Sequence, residues 1–517
     1  MGGREHWATR FGLILAMAGN AIGFGNFLRF PVQAASNGGG AFMIPYFVAL
    51  LLLGIPLMWV EWALGRYGGA RGHGTSPGMF ELIWRSRFAK YFGLLGVALP
   101  LFVVIYYSYI ESWTLAYCFY SATGTFSKMQ GDEFKTFFDG LLGGSGYWPI
   151  YLFFVVTVLL NFAIMWRGVS RGIETLARIA LPTLFVLAVV LVAKVLLLGS
   201  PVPEHPERSV WNGFAFLWNP DLSQLSSVKI WLAAAGQVFF TLSVGFGVIA
   251  CYASYVRKND DIVLSGLTTA STNEFAEVVL GGSLAIPLAS AFLGASAVTM
   301  IAKEGPFSLA FVTMPLVFLQ IKPLLVGQLL STLWFLLLFF AGITSSVALA
   351  QAAVAFMEDE FNWSRRKAVS AVWAVVFGCA NLVIFGVGVM DELDFWAGTA
   401  GIVVFAFIEV VLFVWVFGPD RAWAEINRGA DLRAPRVVYY VLKYVTPVYL
   451  AALLVAWLMQ DGAGVLLMRS VDTPAEAAWR WVARGVMLVI IASLVYLIRR
   501  SRRLRRHETG GAAVRNG

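Results

Sequence analysis

Hydrophobic residues along this chain form long runs, and short polar segments separate the runs. A helix that crosses a bilayer needs about 20 mainly apolar residues, and twelve of the runs reach that length. The pattern therefore predicts twelve transmembrane helices, of which the ninth is the weakest because Asn381 and Gly386 interrupt its run. The predicted spans lie near residues 11–36, 41–65, 89–123, 147–166, 175–198, 230–255, 262–294, 324–357, 366–386, 395–417, 437–459 and 480–498.

The composition agrees with a membrane protein. Hydrophobic residues make up 59% of the 517 positions and charged residues only 13%, whereas a soluble domain carries roughly 25% charged residues. So few charges cannot cover a soluble surface. The mean hydropathy of +0.74 also excludes intrinsic disorder, which requires low hydrophobicity. The chain is therefore predicted to be an all-α integral membrane protein surrounded by the lipid bilayer.

The basic residues are distributed unevenly between the two sides of the predicted spans. If the N-terminus is inside, the even-numbered loops and the C-terminal tail hold roughly two-thirds of the 38 Lys and Arg residues, as the positive-inside rule requires. We therefore expect a multi-pass protein of the inner (plasma) membrane with both termini cytoplasmic. The arginine-rich tail at 499–517 could instead bind nucleic acid, but topology already explains its charge. No nucleic-acid partner is expected.

Neither the cysteines nor the histidines indicate catalysis. The three cysteines lie in apolar runs, and the four histidines are scattered without metal-ligand spacing. A membrane enzyme would need a nucleophile and base or a metal cluster, and we expect no enzyme. An ion channel would need a continuous polar pore through the spans.

Two predicted spans carry glycine-rich interruptions. Residues 19–26 of the first span read GNAIGFGN, and residues 240–247 of the sixth read FTLSVGFG. Matched interruptions in spans one and six are typical of transporters built from two repeats, with the binding site at the repeat interface. Because a repeat of five helices is odd in number, the second repeat must be inverted relative to the first.

Unwound backbone survives inside a membrane only where it faces protein or a cavity. A helix that begins at such a gap presents N–H groups suited to an anion, and a helix that ends there presents carbonyls suited to a cation. The alternative is that these glycines only allow close helix packing. The two matched interruptions, interleaved with Asn, Thr and Ser, favour a binding site.

The domain boundaries follow from this pattern. Residues 1–10 form a cytoplasmic N-terminus with an inner gate, 11–199 form repeat one and 200–417 form repeat two. Residues 418–498 contain spans eleven and twelve, and 499–517 form the basic cytoplasmic tail. A homodimer is one assembly that the sequence leaves open.

Several motifs resemble the neurotransmitter:sodium symporter family, and within it the leucine-transporting bacterial members with the LeuT-type fold. The resemblance extends from Arg4 to about Arg500, and its motifs occur in the family's order. They read GNAIGFGNFLRFP at 19–31, GGGAF at 38–42, YY at 106–107, IESW at 110–113, QVFFTLS at 237–243, AGITSS at 341–346 and DELDFWAG at 391–398.

The resemblance implies a symporter that imports small to medium neutral, hydrophobic L-amino acids, such as leucine, with Na⁺ by alternating access. Gly23 stands where amine transporters have Asp, which leaves room for the substrate's own carboxylate. An aromatic amino acid, glycine or a compatible solute stays open as the substrate. The implied substrate-binding residues are Asn20, Ala21, Gly23, Phe24, Gly25, Val103, Tyr107, Phe240, Thr241, Ser243, Phe246, Ser345 and Leu349.

The resemblance also implies two Na⁺ sites. The first would use Ala21, Asn26, Thr241 and Asn273 together with the substrate carboxylate. The second would use Gly19, Ile22, Ala341, Thr344 and Ser345. Both sets offer only oxygen ligands, which suit a hard cation. Taken singly, each Asn, Thr or Ser is more often an interhelical hydrogen bonder.

Charged residues inside spans cost about 2.5–3.5 kcal/mol each, so each calls for a partner or a role. By resemblance, Glu277 replaces chloride and makes transport chloride-independent, and Glu61 accepts hydrogen bonds from the unwound segments. The charged pairs of the two gates, Arg29 with Asp394 and Arg4 with Asp359, could instead be surface salt bridges worth under about 1 kcal/mol. The implied outer gate comprises Arg29, Asp394, Tyr107 and Phe240, and the implied inner gate comprises Arg4, Trp7, Ser254, Tyr255, Gln351 and Asp359.

Overall fold

The computed structural model describes residues 7–143, 147–468, 471 and 473–515. Within these residues the secondary structure is helical, apart from one isolated bridge between Gly39 and Pro220. Helices satisfy every backbone hydrogen bond within one segment, which a bilayer requires. The all-α prediction is confirmed.

Ten described helices are long and apolar enough to cross a membrane, and one bent pair forms an eleventh span. The shorter apolar helix Val228–Leu242 and the helix Val248–Ala253 that follows it fall in the sixth predicted span and together form the twelfth. Their bounds match the twelve predicted spans, and the ninth is one continuous helix. The interrupted spans are α1 (Arg10–Ala21) with α2 (Gly25–Ser36), and α7 (Val228–Leu242) with α8 (Val248–Ala253). The continuous spans are α3 (Gly40–Gly69), α4 (Ala89–Ala122), α5 (Trp148–Trp166), α6 (Val169–Leu196), α9 (Ile262–Leu293), α10 (Leu324–Phe361), α11 (Arg365–Phe385), α12 (Val389–Val416), α13 (Arg436–Trp457) and α14 (Pro474–Arg502).

Twelve spans return the chain to the side on which it starts. Residues 7 and 502 therefore lie at the same face, which we call the terminal face. At this face Arg502 of α14 lies 3.3 Å from Glu81. A buried ion pair between Lys90 and Glu360, 2.8 Å long, fixes α4 against the end of α10.

The break in the first span lies at residues 22–24. Ile22 leaves the helical region at φ −78° and ψ 94°, and its N–H closes the last turn on the Ala18 carbonyl. The two halves meet at a bend of 44°. Gly23 permits a close approach, because a Cβ there would lie 2.7 Å from both the Ser345 hydroxyl and the Tyr107 hydroxyl.

The break in the sixth span lies at residues 243–247. Ser243, Gly245 and Gly247 have φ of 54°, 77° and 73°, in the left-handed region that glycine adopts at little cost. As expected, Glu61 accepts a hydrogen bond from the Gly245 N–H at 2.6 Å. The Ser243 hydroxyl donates to the Asn20 carbonyl at 3.1 Å, so the two breaks contact each other directly.

Helices α4 and α10 pack along one another and both lie against the breaks. Three tryptophans are fully buried and fill the core among the spans: Trp62, Trp113 and Trp334. The continuous spans thus form a wall around the two unwound segments.

Candidate functional site

A small cavity of about 20 Å³ lies between the two breaks. That volume is enough for about one water molecule, so a larger ligand requires the lining side chains to move apart. Every lining residue is among those predicted to bind substrate. They are Asn20, Ala21, Gly23, Gly25, Val103, Tyr107, Phe240, Ser243, Phe246, Ser345 and Leu349.

Two predicted substrate residues, Phe24 and Thr241, do not line this cavity. The Phe24 ring stacks on the Tyr107 ring with centroids 4.5 Å apart, and its N–H donates to the Tyr107 hydroxyl at 3.0 Å. The Thr241 side chain instead contacts Asn273 and Glu277. Phe24 therefore supports the cavity wall, and Thr241 belongs to the neighbouring polar cluster.

The Asn20 amide is the most informative polar group of the cavity. Asn20 is 2% exposed, and neither its amide nitrogen nor its amide oxygen has a hydrogen-bond partner. Buried amides are normally hydrogen-bonded, so such a group in a cavity wall indicates a place for a polar ligand. The opposite part of the lining is apolar and includes Val103, Phe246 and Leu349.

The four residues predicted for the first sodium site meet around Asn273. One terminal atom of its amide lies 2.9 Å from Asn26 Nδ2 and 3.3 Å from the Ala21 carbonyl oxygen. The other terminal atom lies 3.0 Å from the Thr241 hydroxyl. The Asn26 amide oxygen accepts from the Gly23 N–H at 2.9 Å, which holds it at the break.

The residues predicted for the second sodium site meet where α1 ends against α10. The Ser345 hydroxyl lies 3.5 Å from the Gly19 carbonyl and 3.2 Å from the Ala341 carbonyl. The Thr344 hydroxyl lies 3.2 Å from the Ala341 carbonyl, and a Cβ at Gly19 would lie 3.3 Å from Thr344 Cβ. Ile22, the fifth residue, is the buried C-cap of α1. Carbonyl and hydroxyl oxygens are the donors that Na⁺-type hard cations take.

Glu277 is fully buried and borders the first of these clusters. Its carboxylate accepts from the Thr241 hydroxyl in a short contact and from Gln237 Nε2 at 2.9 Å. The Tyr46 hydroxyl lies 3.2 Å from Glu277 and 2.8 Å from Glu274. The Glu277 carboxyl group is therefore held by neutral donors beside the residues predicted for the first sodium site.

Sequence reasoning did not single out Tyr46, Gln237 or Glu274 for this cluster. Gln237 stands in a family motif and Glu274 follows Asn273 directly, so both positions carried a signal. Tyr46 lies in another span 231 positions before Glu277. Only the tertiary structure brings its hydroxyl to the carboxylates.

A second, wider cavity of about 390 Å³ opens toward the face opposite the terminal face. Arg29 and Asp394 both line this vestibule, but no ion pair within 4.0 Å joins them in the described part of the chain. The Arg29 guanidinium lies 4.5 Å from the Phe240 ring centroid, and Asp394 accepts from the Tyr106 hydroxyl at 2.6 Å.

Tyr107 and Phe240 line both the vestibule and the inner cavity. Their rings therefore stand between the two spaces. All four residues predicted for the outer gate lie at this boundary or directly above it.

The chain is tightly packed at the terminal face. Trp7 is 7% exposed, and its Nε1 donates to the Tyr252 carbonyl at 3.1 Å. Gln351 Nε2 donates to the Tyr255 hydroxyl at 2.9 Å, and the Ser254 hydroxyl donates to the Cys251 carbonyl at 2.5 Å. The structure thus brings together Trp7, Tyr255 and Gln351 of the predicted inner gate.

The two charged members of the predicted inner gate have different outcomes. Asp359 accepts from the Gly74 N–H at 2.5 Å. Arg4 lies outside the described residues, so the expected pair between Arg4 and Asp359 stays a prediction.

The comparison with protein families agrees with this architecture. The sequence profile of the Sodium:neurotransmitter symporter family matches residues 4–136 and 140–501. The chain belongs to this family. It is therefore a sodium-dependent, multi-pass membrane transporter of a small molecule and not an enzyme.

Relatives of this symporter occur in distant organisms. An uncharacterized sodium-dependent transporter of Methanocaldococcus jannaschii is 30% identical, over 96% of this chain and 97% of its own length. A sodium-dependent dopamine transporter of Caenorhabditis elegans is 26% identical, over 80% of this chain and 74% of its own. Among solved structures, MhsT in complex with L-phenylalanine superposes with a TM-score of 0.76 at 28% identity. That match covers 88% of this chain and 99% of the MhsT chain.

MhsT is a LeuT-fold transporter, which confirms the predicted fold class. The broken spans one and six of this symporter lie at the repeat interface that such a fold provides for ligands.

Proposed function

We propose that this symporter imports neutral, hydrophobic L-amino acids together with two Na⁺ ions. The observation that carries the proposal is the cavity between the breaks, whose described lining contains no ionisable acidic or basic side chain. A net charge on the ligand would stay uncompensated in such a cavity, at high cost. A zwitterion fits, because its two charges need only backbone groups, hydroxyls and a nearby cation.

The two ends of the first break divide the recognition of the zwitterion. Helix α2 begins at Gly25 and directs its positive dipole end toward the cavity, which suits the substrate carboxylate. Helix α1 ends at Ala21, where carbonyl oxygens suit the ammonium group or a cation. The Asn20 amide provides a further polar contact. The apolar lining near Val103 and Leu349 receives the side chain.

The Asn273 cluster is proposed as the first Na⁺ site and the α1–α10 contact as the second. Support comes from the convergence of oxygen donors in each cluster, described above. Two Na⁺ that enter with a zwitterion move two charges, worth about 4.6 kcal/mol per 100 mV. Since about 1.4 kcal/mol is tenfold, the membrane potential alone would support accumulation of over a thousandfold.

Alternating access is supported by the unequal packing of the two faces. The vestibule reaches down to Tyr107 and Phe240, whereas the terminal face has a smaller crevice beside the buried Trp7. We propose that Arg29 and Asp394 approach one another to close the outer gate. On the positive-inside rule the terminal face is cytoplasmic, so the protein imports into the cell.

Chloride independence is the last part of the proposal. Glu277 accepts a hydrogen bond from Thr241, a proposed ligand of the first Na⁺. A carboxylate so close to the ion provides the negative charge that a chloride ion would otherwise have to supply.

An aromatic amino acid is the second candidate substrate. MhsT, to which this chain is similar over most of its length, has been crystallised with L-phenylalanine. Phe240 and Phe246 line the cavity of this chain and would pack against a ring, whereas leucine would use the same apolar lining.

The test is equilibrium binding of labelled amino acids to the purified protein, with Na⁺ replaced by K⁺ or choline. The panel contains leucine, methionine, alanine, phenylalanine, tryptophan, glycine and betaine, with dopamine as an amine that lacks a carboxylate. We expect the hydrophobic amino acids to bind only when Na⁺ is present. Binding that does not require Na⁺, or a preference for the amine, would overturn the proposal.

A further inference from the structure

Glu174 contacts the start of α1 from the beginning of α6. Its side chain is 1% exposed although it carries a carboxylate. One oxygen accepts from the Ala8 N–H at 2.9 Å, and the other accepts from the Thr9 hydroxyl at 3.2 Å. Thr9 is the N-cap of α1, so both contacts are made at the end of that helix.

Two further residues shape this contact. Arg178, one turn along α6, donates to Glu174 at 2.5 Å and to the Thr9 hydroxyl at 2.7 Å. Gly12 of α1 provides the space for the carboxylate, because a Cβ there would lie 1.9 Å from Glu174 Oε1. We call Glu174, Arg178, Thr9 and Gly12 the α1 clamp.

The clamp joins elements that are distant along the chain, by polar groups in a buried place. The carboxylate accepts N–H and O–H groups at the positive end of a helix of 12 residues, where a negative charge is favourable. Hydrogen bonds to an ionised group are roughly twice as strong as neutral ones. The first turn of α1 is therefore held firmly against α6.

The opposite side of the α1 start is held less firmly. An open crevice of about 180 Å³ lies there, between Trp7–Leu13 and Tyr255–Asp260. Arg10, 46% exposed, lies 4.0 Å from the Asp261 carboxylate and 3.5 Å from the Asp261 carbonyl oxygen. Long contacts from an exposed side chain contribute about 1 kcal/mol or less. Compared with the Arg10 contacts, the Glu174 clamp is thus the stronger.

The other end of α1 supplies carbonyl oxygens to both proposed ion sites, at Gly19 and Ala21. Helix α1 spans about 18 Å at 1.5 Å per residue. A displacement of its first turn at the terminal face must therefore either bend α1 or move these oxygens. The clamp and the ions act on the two ends of one helix.

We propose that Glu174, positioned by Arg178, is a further gating residue: its hydrogen bonds hold the start of α1 closed and break when the terminal face opens. This inference rests on the alternating-access function proposed above. Glu174 touches neither substrate nor ion, so it is a positioning residue. A purely structural capping role would alter stability without altering the equilibrium between the two open states.

Cys251 provides a natural reporter of opening. It is 1% exposed on α8, and its sulfur lies 4.0 Å from the Gln351 carbonyl beneath the predicted inner gate. With Cys118 and Cys379 replaced by Ala, the rate of maleimide labelling of Cys251 measures access from the terminal face. Three variants perturb the clamp: Glu174→Gln, Gly12→Ala and Arg178→Met.

In the parent protein we expect Na⁺ to slow labelling of Cys251 relative to K⁺. In each clamp variant we expect labelling in K⁺ about tenfold faster than in the parent, with a higher Na⁺ concentration needed to suppress it. If Glu174→Gln does not fold, Gly12→Ala still tests the clamp. Arg178→Met, a substitution of an exposed residue, also tests it.

The matched control is Glu425→Gln. Glu425 is a carboxylate 4% exposed at the same face, and its side chain pairs with Arg66 and Arg428, with no ion pair to α1 within the described part of the chain. It should lower the melting temperature but leave the Na⁺ response of Cys251 unchanged. An equal acceleration in this control, or parental rates in all three clamp variants, would refute the clamp. Parental labelling that ignores Na⁺ would instead refute the proposed alternating access.

Discussion

Gly23→Ala is the sharpest test of the binding cavity. A methyl group at this position would lie 2.7 Å from the Ser345 hydroxyl and 2.7 Å from the Tyr107 hydroxyl. The Tyr107 hydroxyl also accepts the Phe24 N–H at 3.0 Å, so it cannot move away without losing that hydrogen bond. The substitution therefore crowds the place where the substrate carboxylate is proposed to bind.

The magnitude follows from this geometry. Overpacking a well-packed site costs about 1–3 kcal/mol. Without substrate, the lining side chains can move apart and relieve the contact, at the cost of the Tyr107 hydrogen bond. With substrate bound they are held in place, so most of the cost falls on the bound state. At about 1.4 kcal/mol per tenfold, substrate affinity should fall by about 5- to 140-fold.

The assay is Na⁺-dependent binding of the preferred amino acid, with the melting temperature measured in parallel. Gly236→Ala is the matched control, since a Cβ at Gly236 of α7 meets nothing within 4 Å. The control should bind substrate as the wild type does. If Gly23→Ala binds with wild-type affinity while its melting temperature is unchanged, the carboxylate does not bind at this break.

Three other variants test the ion sites and the packing. Glu277→Ser should make uptake into proteoliposomes depend on chloride, and equal uptake in chloride and gluconate would contradict the assigned role. The double variant Thr344→Ala, Ser345→Ala should raise the Na⁺ concentration for half-maximal binding at least about tenfold, or 1.4 kcal/mol; wild-type sodium affinity would remove the second site. Lys90→Met removes the ammonium group that lies 2.8 Å from the buried Glu360 carboxylate and should destabilise the protein by about 3–5 kcal/mol, which a thermal melt detects; a melt within 1 °C of wild type would show that the pair adds nothing.

Much of the fold could be predicted from the sequence because the bilayer leaves few solutions. Apolar runs of sufficient length must be helices, and the observed bounds differ from the predicted ones by only a few residues at most ends. Broken spans were predictable for a related reason. Gly245 and Gly247 adopt positive φ, and glycine in a membrane helix signals either close packing or unwinding.

The polar contacts between spans were less predictable. Glu174 was not singled out, because no periodicity links it to Ala8 and Thr9, which lie more than 160 positions away. Glu61 was predicted to reach the unwound backbone, and the structure places it there. Unwound backbone inside a membrane has N–H and C=O groups that need a partner in the protein, so a contact to it could be predicted. A helix N-terminus can be satisfied by many neighbours or by water, so its partner could not.

Helix α1 connects these observations into one account of coupling. A ligand shifts a conformational equilibrium only by the difference in its affinity for the two states. On the proposed assignments, Na⁺ favours the closed terminal face because α1 presents the carbonyls of Gly19 and Ala21 correctly only there. The Glu174 contacts favour the same state at the other end of the helix. Because Na⁺ binding and the clamp act on one equilibrium, a weaker clamp must be offset by more Na⁺. Without Na⁺, the protein must still break the clamp before it opens. On these proposals, the sodium dependence of opening is set jointly by the proposed ion ligands and by the Glu174 carboxylate, which does not touch the ion.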